Sequence, residues 1–112
     1  MALAKKVKIT KKKDYNSVYK EGKRYIGKYI IMFIRENNLE TSRVGVVTSK
    51  KVGKAVVRNR VKRQLKHIFQ RKLELFQRRY DIVIVSRYSI VGIEGKYIER
   101  DVMLLAKKGG LC

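Results

Sequence analysis

The sequence contains no proline and no tryptophan, and it has one cysteine and one histidine among 112 residues. One cysteine cannot form a disulfide within the chain, and one cysteine with one histidine cannot supply a zinc site. Acidic residues are also scarce and scattered, without the paired carboxylates that hold two catalytic metal ions. We expect Glu99 and Asp101 to form surface ion pairs with Arg100 or Lys107. We therefore predict no catalytic residue in this chain.

Long apolar runs are absent as well. The longest, residues 29–34, falls far short of the roughly 20 residues that a membrane-spanning helix needs. The basic N-terminus, residues 1–13, lacks the apolar stretch of a signal peptide. These absences argue against a membrane role, and with the single cysteine they favour a protein of the reducing cytoplasm.

Positive charge is what the sequence has in excess. Lys and Arg number 29 against 9 Asp and Glu, which gives a net charge of +20. Such a surplus repels itself in the compact state and suggests a polyanionic partner. Nucleic acid is the first candidate and an anionic membrane surface the second. General solubility is a weaker explanation, because surfaces of mixed sign and smaller net charge achieve it.

The periodicity predicts one domain over residues 1–112, with residues 1–13 as a mobile basic arm. Gly22 is expected to end the first helix, and Gly45 to mark a close backbone approach or a bulge in the second strand. That strand is expected to run antiparallel to the first. The order α-β-β-α-β-α indicates an α+β protein, a two-layer sandwich whose small sheet has one face partly open. The predicted elements are a helix over 13–20, strands over 25–35 and 42–49, a helix over 55–76, a strand over 80–86 and a helix over 97–107.

A dense run of basic residues leads into and along the predicted helix at residues 55–76. Its apolar residues Val57, Val61 and Leu65 form one stripe, and cations occupy most of the remaining arc, with Arg58 and Arg60 on opposite flanks. Like charges at i, i+4 cost about 0.2–0.5 kcal/mol per pair, and basic residues in the first turn oppose the helix dipole. A phosphate-binding surface explains this pattern better than a solvated helix face does, because a helix N-terminus attracts phosphate.

Aromatic residues supply a second pattern. Tyr15 and Tyr19 share a helical face, while Tyr25, Tyr29 and Phe33 alternate along the first predicted strand. Each ring alone is more typical of a core. Aromatic rings on an open sheet face bordered by lysines are also the parts of a single-stranded RNA platform. Both interpretations stay open on the pattern alone.

Residues 49–66 resemble the signature of the bacterial ribonuclease P protein component, most specifically in residues 55–66, which contain Arg58-Asn59-Arg60. Residues 13–22 resemble the family's N-terminal helix, and residues 42–45 and 80–83 its second and third strands. The resemblance covers nearly the whole chain. It implies a left-handed strand-helix-strand crossover, which the general handedness rule would not predict.

The resemblance also implies the partners and the reaction. The family protein binds the catalytic RNA of ribonuclease P and precursor tRNA, with no obligatory protein partner, and the RNA removes the 5′ leader in a Mg²⁺-dependent hydrolysis. The Mg²⁺ ions would be bound mainly by RNA and substrate. The leader would be bound in a cleft lined by Tyr15, Tyr19 and Phe33, where the family more often has Phe, Phe and Tyr. The RNA-binding residues implied by the resemblance are Lys50, Lys51, Lys54, Arg58, Asn59, Arg60, Lys62, Arg63 and Lys66.

Three alternatives share part of this evidence. A structural RNA-binding protein such as a ribosomal protein has the same charge and fold class, but it would not stimulate cleavage by a ribonuclease P RNA. An autonomous nuclease would need the carboxylate cluster that is missing here. A DNA-packing protein is disfavoured, because no groove-entering dimer motif is present. The one histidine, His67, is expected to be solvated or to face phosphate.

Overall fold

The computed structural model of the protein describes residues 8–72, 75–76 and 79–112. Two short 3-10 turns, Lys50–Val52 and Tyr88–Ile90, lie in the connections. The helices and strands in these ranges are α1 (Lys12–Glu21), β1 (Lys23–Ile26), β2 (Ile30–Glu36), β3 (Arg43–Val47), α2 (Ala55–Lys72), β4 (Tyr80–Ser86) and α3 (Gly95–Lys108).

The strands form one mixed sheet in the order β1-β2-β4-β3. β2 pairs antiparallel with both β1 and β4, whereas β3 pairs parallel with β4. The α+β class is thereby confirmed. β3, α2 and β4 form a strand-helix-strand unit with parallel neighbouring strands, and the left-handedness of this crossover stays a prediction of the resemblance.

One detail of the predicted order was wrong. The strand expected over residues 25–35 is two strands, β1 and β2, so the order in the described residues is α-β-β-β-α-β-α. The strand that follows runs opposite to β2, as predicted, and β4 lies between the two in the sheet. Tyr and Ile occur on both sides of Gly27, so composition does not mark the turn there. The turn depends on a partner far away in sequence.

The end of α2 and the extent of the predicted basic arm also differ from the expectation. α2 ends at Lys72 rather than near Phe76, and residues 73–74 lie outside the described residues. Phe76 packs on Phe69 from beyond the helix, with ring centroids 6.4 Å apart, so its apolar character serves loop packing. Of the predicted basic arm, residues 1–7 lie outside the described residues. Residues 8–13 belong to the fold, because Lys8 bridges to Val44 and α1 begins at Lys12.

The two faces of the sheet are covered unequally. On the helix-covered face, β2 and β4 contribute the buried side chains of Ile30, Met32, Ile34, Ile82 and Ile84, which pack against α2 and α3 in the larger core. On the open face, α1 packs through a small cluster that joins Val18 and Ile9 to Val83 of β4. Tyr15 and Phe33 border this cluster and are only partly buried. The face expected to be partly open is therefore the one under α1.

A buried carboxylate joins α3 to the turn between β1 and β2. Asp101, 7% exposed, accepts the backbone N–H groups of Lys28 at 3.1 Å, Tyr29 at 2.9 Å and Ile30 at 3.3 Å. The expectation of a surface ion pair for Asp101 was wrong, because these backbone donors occupy its oxygens. Glu99 pairs across helices with Arg71 at 2.9 Å. The turn therefore forms against α3, which explains why local sequence did not reveal it.

We expect Asp101→Asn to lower the free energy of unfolding by about 2–3 kcal/mol, because at least one buried N–H loses its charged acceptor. Urea denaturation followed by circular dichroism measures the change. Glu40→Gln, at an exposed position between β2 and β3, is the control and should change stability by less than about 0.5 kcal/mol. An effect of Asp101→Asn no larger than this control would show that the three contacts contribute little.

Candidate nucleic-acid interface

The connection from β3 to α2 presents lysines at the helix N-terminus. Val52 is buried and holds the turn Lys50–Val52 against the core, while Lys50 and Lys51 are exposed. Gly53 has φ 149°, a backbone conformation that disfavours any residue with a side chain. The chain then enters α2 with Lys54 exposed just before its first residue.

α2 packs through one apolar stripe and leaves its cations on the remaining arc. Val61, Leu65, Ile68 and Phe69 are buried, and no acidic residue occurs between Ala55 and Lys72. Of the predicted RNA-binding residues on α2, Asn59, Arg60 and Arg63 are exposed, whereas Arg58, Lys62 and Lys66 are partly buried. His67 is exposed on the same helix.

The nine residues predicted to bind RNA form a basic surface without acidic partners. No one of them makes an ion pair with a carboxylate of residues 8–72, 75–76 or 79–112. At the far end of α2, by contrast, Arg71 and Lys72 both contact Glu99. The positive potential of the basic surface is therefore not neutralised locally, which favours contact with phosphate groups. The members of the basic surface are Lys50, Lys51, Lys54, Arg58, Asn59, Arg60, Lys62, Arg63 and Lys66.

Arg58 and Arg60 lie in different surroundings, as their places on the helix predict. Arg60 lines a cavity of about 590 Å³ between α2 and the segment that precedes α3, together with Ile90 and Glu94. Arg58 does not line that cavity. Its Nε atom is buried and has no hydrogen-bond partner among the described residues. A buried donor of this kind is costly unless an acceptor reaches it.

Three aromatic side chains meet on the open face of the sheet, and we call them the aromatic cleft: Tyr15, Tyr19 and Phe33. The rings of Tyr19 and Phe33 pack edge to face with centroids 4.9 Å apart. Tyr15 packs in the same cluster and lies directly over Gly45 of β3, where an added Cβ would come within 2.5 Å of its ring. The close approach predicted at Gly45 is thereby confirmed. The continuous register of β3 with β4 shows no bulge there.

The tyrosine hydroxyls of the aromatic cleft stay neutral at physiological pH. Burial raises the pKa of Tyr15, and the neighbouring Tyr19 raises it further. Burial also raises the pKa of Tyr19. Neutral rings add no negative charge that would repel phosphate. Tyr19 is 37% exposed, so part of its ring is accessible for stacking.

A second buried carboxylate, Asp81 of β4, lies on the same open face. Its side chain is fully buried and accepts two hydrogen bonds from Arg43, at 2.9 and 2.7 Å. Arg35 donates another at 2.7 Å and the amide of Asn37 a fourth at 2.8 Å. β2, β3, β4 and the loop after β2 are therefore joined at one carboxylate.

The same two arginines hold α1. Arg35 pairs with Glu21 at 3.0 Å and Arg43 with Asp14 at 3.4 Å, so both ends of α1 are tied to the sheet. Because Tyr15 and Tyr19 lie between these ends, the ion pairs position the aromatic cleft. Sequence reasoning missed this network. The available signal was Asp81 itself, an acid within a strand predicted to be buried on both faces.

Burial alone would raise the pKa of Asp81. The hydrogen bonds from Arg43, Asn37 and Arg35 together outweigh this effect of burial, and they hold the pKa of Asp81 below its ordinary value. The carboxylate is therefore charged throughout the physiological range, and the pKa of Arg43 is raised in return by the hydrogen bond to Asp81.

The residues that the structure describes include no group of three or more His, Cys, Asp or Glu side chains placed to hold a metal ion. The acidic residues nearest the aromatic cleft form ion pairs with Arg35 and Arg43; they are Asp14, Glu21 and Asp81. No helix in the described ranges has the length and apolar character needed to cross a membrane.

A basic surface without ion pairs in the described ranges and a group of aromatic rings on one α+β scaffold are features typical of nucleic-acid-binding proteins. The comparisons with known proteins specify the class. The family model described as Ribonuclease P matches residues 3–109. The chain belongs to the ribonuclease P protein family.

Individual relatives agree over nearly the full length. The chain is 38% identical to the ribonuclease P protein component of Syntrophomonas wolfei, covering 97% of this chain and 92% of that protein. It is 40% identical to that of Clostridium botulinum strain 657, covering 96% and 97%. The solved ribonuclease P protein of Thermotoga maritima is similar with a TM-score of 0.82 and 28% identity, covering 90% and 96%.

Membership of the family establishes the activity to which the chain contributes. It is the protein component of an endoribonuclease ribonucleoprotein whose catalysis is performed by RNA. It works with the ribonuclease P RNA, binds precursor tRNA and takes part in maturation of the tRNA 5′ end.

We expect Asp81→Asn to lower the free energy of unfolding by about 3–5 kcal/mol at pH 7, because it leaves two arginines without their shared charge. The pKa of Asp81 is lowered by folding, so its stabilisation is complete above the unfolded pKa of about 3.9. It is lost as the pH falls through the folded-state pKa.

The stability difference between the original chain and Asp81→Asn should therefore narrow below about pH 4. Urea titrations from pH 7 to pH 3 measure it, with Glu40→Gln as the exposed control. A difference that stays constant through the acid range would contradict the role assigned to the charge of Asp81.

Proposed function

We propose that the basic surface holds this protein on the ribonuclease P RNA, while the aromatic cleft binds the single-stranded 5′ leader of precursor tRNA. The observation that carries the proposal is the absence of carboxylate partners for the basic surface among the described residues, in a chain where other arginines are paired. Support for the leader site comes from three rings that lie beside one another on the open face.

Contact with the RNA subunit would be chiefly electrostatic. Each lysine or arginine that reaches a phosphate releases condensed counterions, so affinity depends steeply on salt. Arg58 adds a specific requirement, because its buried Nε atom lacks an acceptor in the described part of the chain. A phosphate oxygen at the flank of α2 would supply that acceptor with a charge-assisted hydrogen bond.

Leader binding would rest on stacking. The exposed part of Tyr19 offers a ring face to an unpaired base, and the edge-to-face contact with Phe33 fixes the orientation of that ring. Each stacked base contributes about 1–3 kcal/mol without requiring a particular sequence. This suits a protein that must accept leaders of many sequences. Mature tRNA has no leader and would gain nothing from the cleft.

Magnesium ions would be bound mainly by the RNA subunit and the substrate. Asp81 is occupied by Arg35, Arg43 and Asn37, and Asp14 and Glu21 by the arginines that tie α1. The protein's part is then to reduce repulsion between two polyanions. A cytoplasmic location, where precursor tRNA is processed in bacteria, belongs to the same proposal.

Tyr19→Ala should weaken binding of precursor tRNA to the assembled enzyme by about 5- to 150-fold, the equivalent of one lost stacking contact, and leave mature tRNA unchanged. Tyr19→Phe should retain affinity, because the ring is kept. Fluorescence titrations with a leader-bearing and a leaderless tRNA measure both. The control is Tyr88→Ala, which removes a ring that is 74% exposed outside the cleft. An equal loss on both tRNAs would contradict the cleft assignment.

Replacing Arg58 and Arg60 by Ala should weaken assembly with the ribonuclease P RNA and flatten its salt dependence. Each lost phosphate contact should reduce the slope of log K against log salt by about 0.7–0.9. Filter binding over a range of KCl concentrations measures the slope. The control is Lys107→Ala, which removes one exposed positive charge on α3, as Arg58→Ala does on α2. If both single variants reduce the slope equally, the RNA is attracted to the net positive charge of the protein and not to the basic surface in particular.

A further inference from the structure

A cavity of about 520 Å³ lies at the β1 edge of the sheet, away from both proposed RNA contacts. Its walls are the turn between β1 and β2 and the flank of α3 that carries Tyr97, Arg100, Leu104 and Lys108. α3 packs over β1 and β2, whereas α2 packs over β3. The aromatic cleft is on the opposite face of the sheet. This edge cavity is therefore a separate surface.

The edge cavity has an apolar lining that reaches the protein surface. Ile26 is 54% exposed, Leu104 51% and Tyr97 40%. Tyr29 lines the cavity and is partly buried against the larger core. Exposed apolar side chains gathered around one concavity are a feature of binding sites rather than of solvated surface.

The rim of the edge cavity is cationic. Lys28, Arg100 and Lys108 are exposed, and none of them makes an ion pair with a carboxylate of the described residues. The acid that lines the cavity, Asp101, forms no ion pair with them, and its oxygens instead accept three backbone N–H groups. Arg87 is held on the carbonyl of Gly27 at 2.6 Å. The three cations are therefore available to an anion at the mouth.

Tyr97 belongs to the apolar lining and also lies beside cations. The Arg100 guanidinium lies 5.6 Å from its ring centroid and the Lys96 ammonium 5.1 Å. Planar aromatic ligands stack on tyrosine rings and on guanidinium groups alike. An aromatic ligand at Tyr97 would therefore lie within reach of cations that bind its phosphate.

We propose that the edge cavity binds an unpaired nucleotide of an RNA strand, with the base against Tyr97 and Leu104 and the phosphate at Lys28, Arg100 and Lys108. Charge complementarity selects this occupant. A hydrophobic peptide segment would leave three cations without counterions, and a free phosphate would leave the apolar lining exposed. The inference does not depend on the roles proposed for the basic surface or the aromatic cleft.

Titration of the ¹⁵N-labelled full chain with adenosine 5′-monophosphate tests the proposal by NMR. Amide signals of Lys28, Tyr97 and Leu104 should shift together along one binding curve. Adenosine and inorganic phosphate, titrated separately, should each bind more weakly than the nucleotide. Tyr97→Ala should raise the dissociation constant at these signals at least about fivefold, the equivalent of a 1 kcal/mol stacking contact.

The variants separate the two parts of the site. Tyr97→Phe should bind as the original chain does, because it keeps the ring. Arg100→Glu should reduce the affinity for the nucleotide to that for adenosine. Tyr88→Ala, the exposed tyrosine outside the cavity, is the matched control and should have no effect. Thermal unfolding checks that each variant is folded.

Four results would overturn the proposal. Binding of inorganic phosphate at the cavity as tight as that of the nucleotide would show a site for an anion alone. Equal binding of adenosine would show an apolar pocket without a phosphate contact. Shifts that follow protein concentration and ignore the nucleotide would show contact between two copies of the chain. Cavity signals that respond to none of these titrations would show that the edge cavity binds no nucleotide.

Discussion

The buried carboxylate of Asp81 joins the sheet to α1, and the position of the aromatic cleft depends on it. Removing a carboxylate from water is costly, and here the cost is offset by four hydrogen bonds, two of them from one guanidinium. The two arginines that enclose Asp81 also reach Asp14 and Glu21 on α1. Tyr15 and Tyr19 lie between those two acids. The rings of the cleft are thus oriented by charges beneath them.

In a chain of net charge +20, the location of the few acids decides where positive charge is left uncompensated. Asp81 on the open face and Asp101 on the helix-covered face both accept hydrogen bonds from groups of the fold itself. Glu99 pairs at the far end of α2. The first part of α2 and the turn before it make no ion pair with a carboxylate of the described residues. Internal pairing in one region therefore produces the uncompensated basic surface in another, and the self-repulsion it causes would be relieved by an anionic partner.

The features that local sequence predicted correctly are those with local causes. The apolar stripe of α2 predicted both its buried side and the separate surroundings of Arg58 and Arg60, and Gly45 marked the close approach of Tyr15. The features that were missed depend on distant partners. The turn at Gly27 is formed by Asp101, more than seventy residues away. β4 enters the sheet between β2 and β3, a pairing that alternation of apolar residues along one strand does not specify.

The sheet separates the two proposed RNA contacts. α2 packs on the helix-covered face through Val61 and Leu65, whereas Tyr19 and Phe33 lie on the open face with α1. RNA held along the outward arc of α2 would therefore leave the cleft free. Assembly with the catalytic RNA and recognition of the leader can then take place at the same time, with neither RNA competing for the other's surface. Because α1 is tied to the sheet through the arginines that enclose Asp81, assembly through α2 would bring the aromatic rings to one defined side of the catalytic RNA.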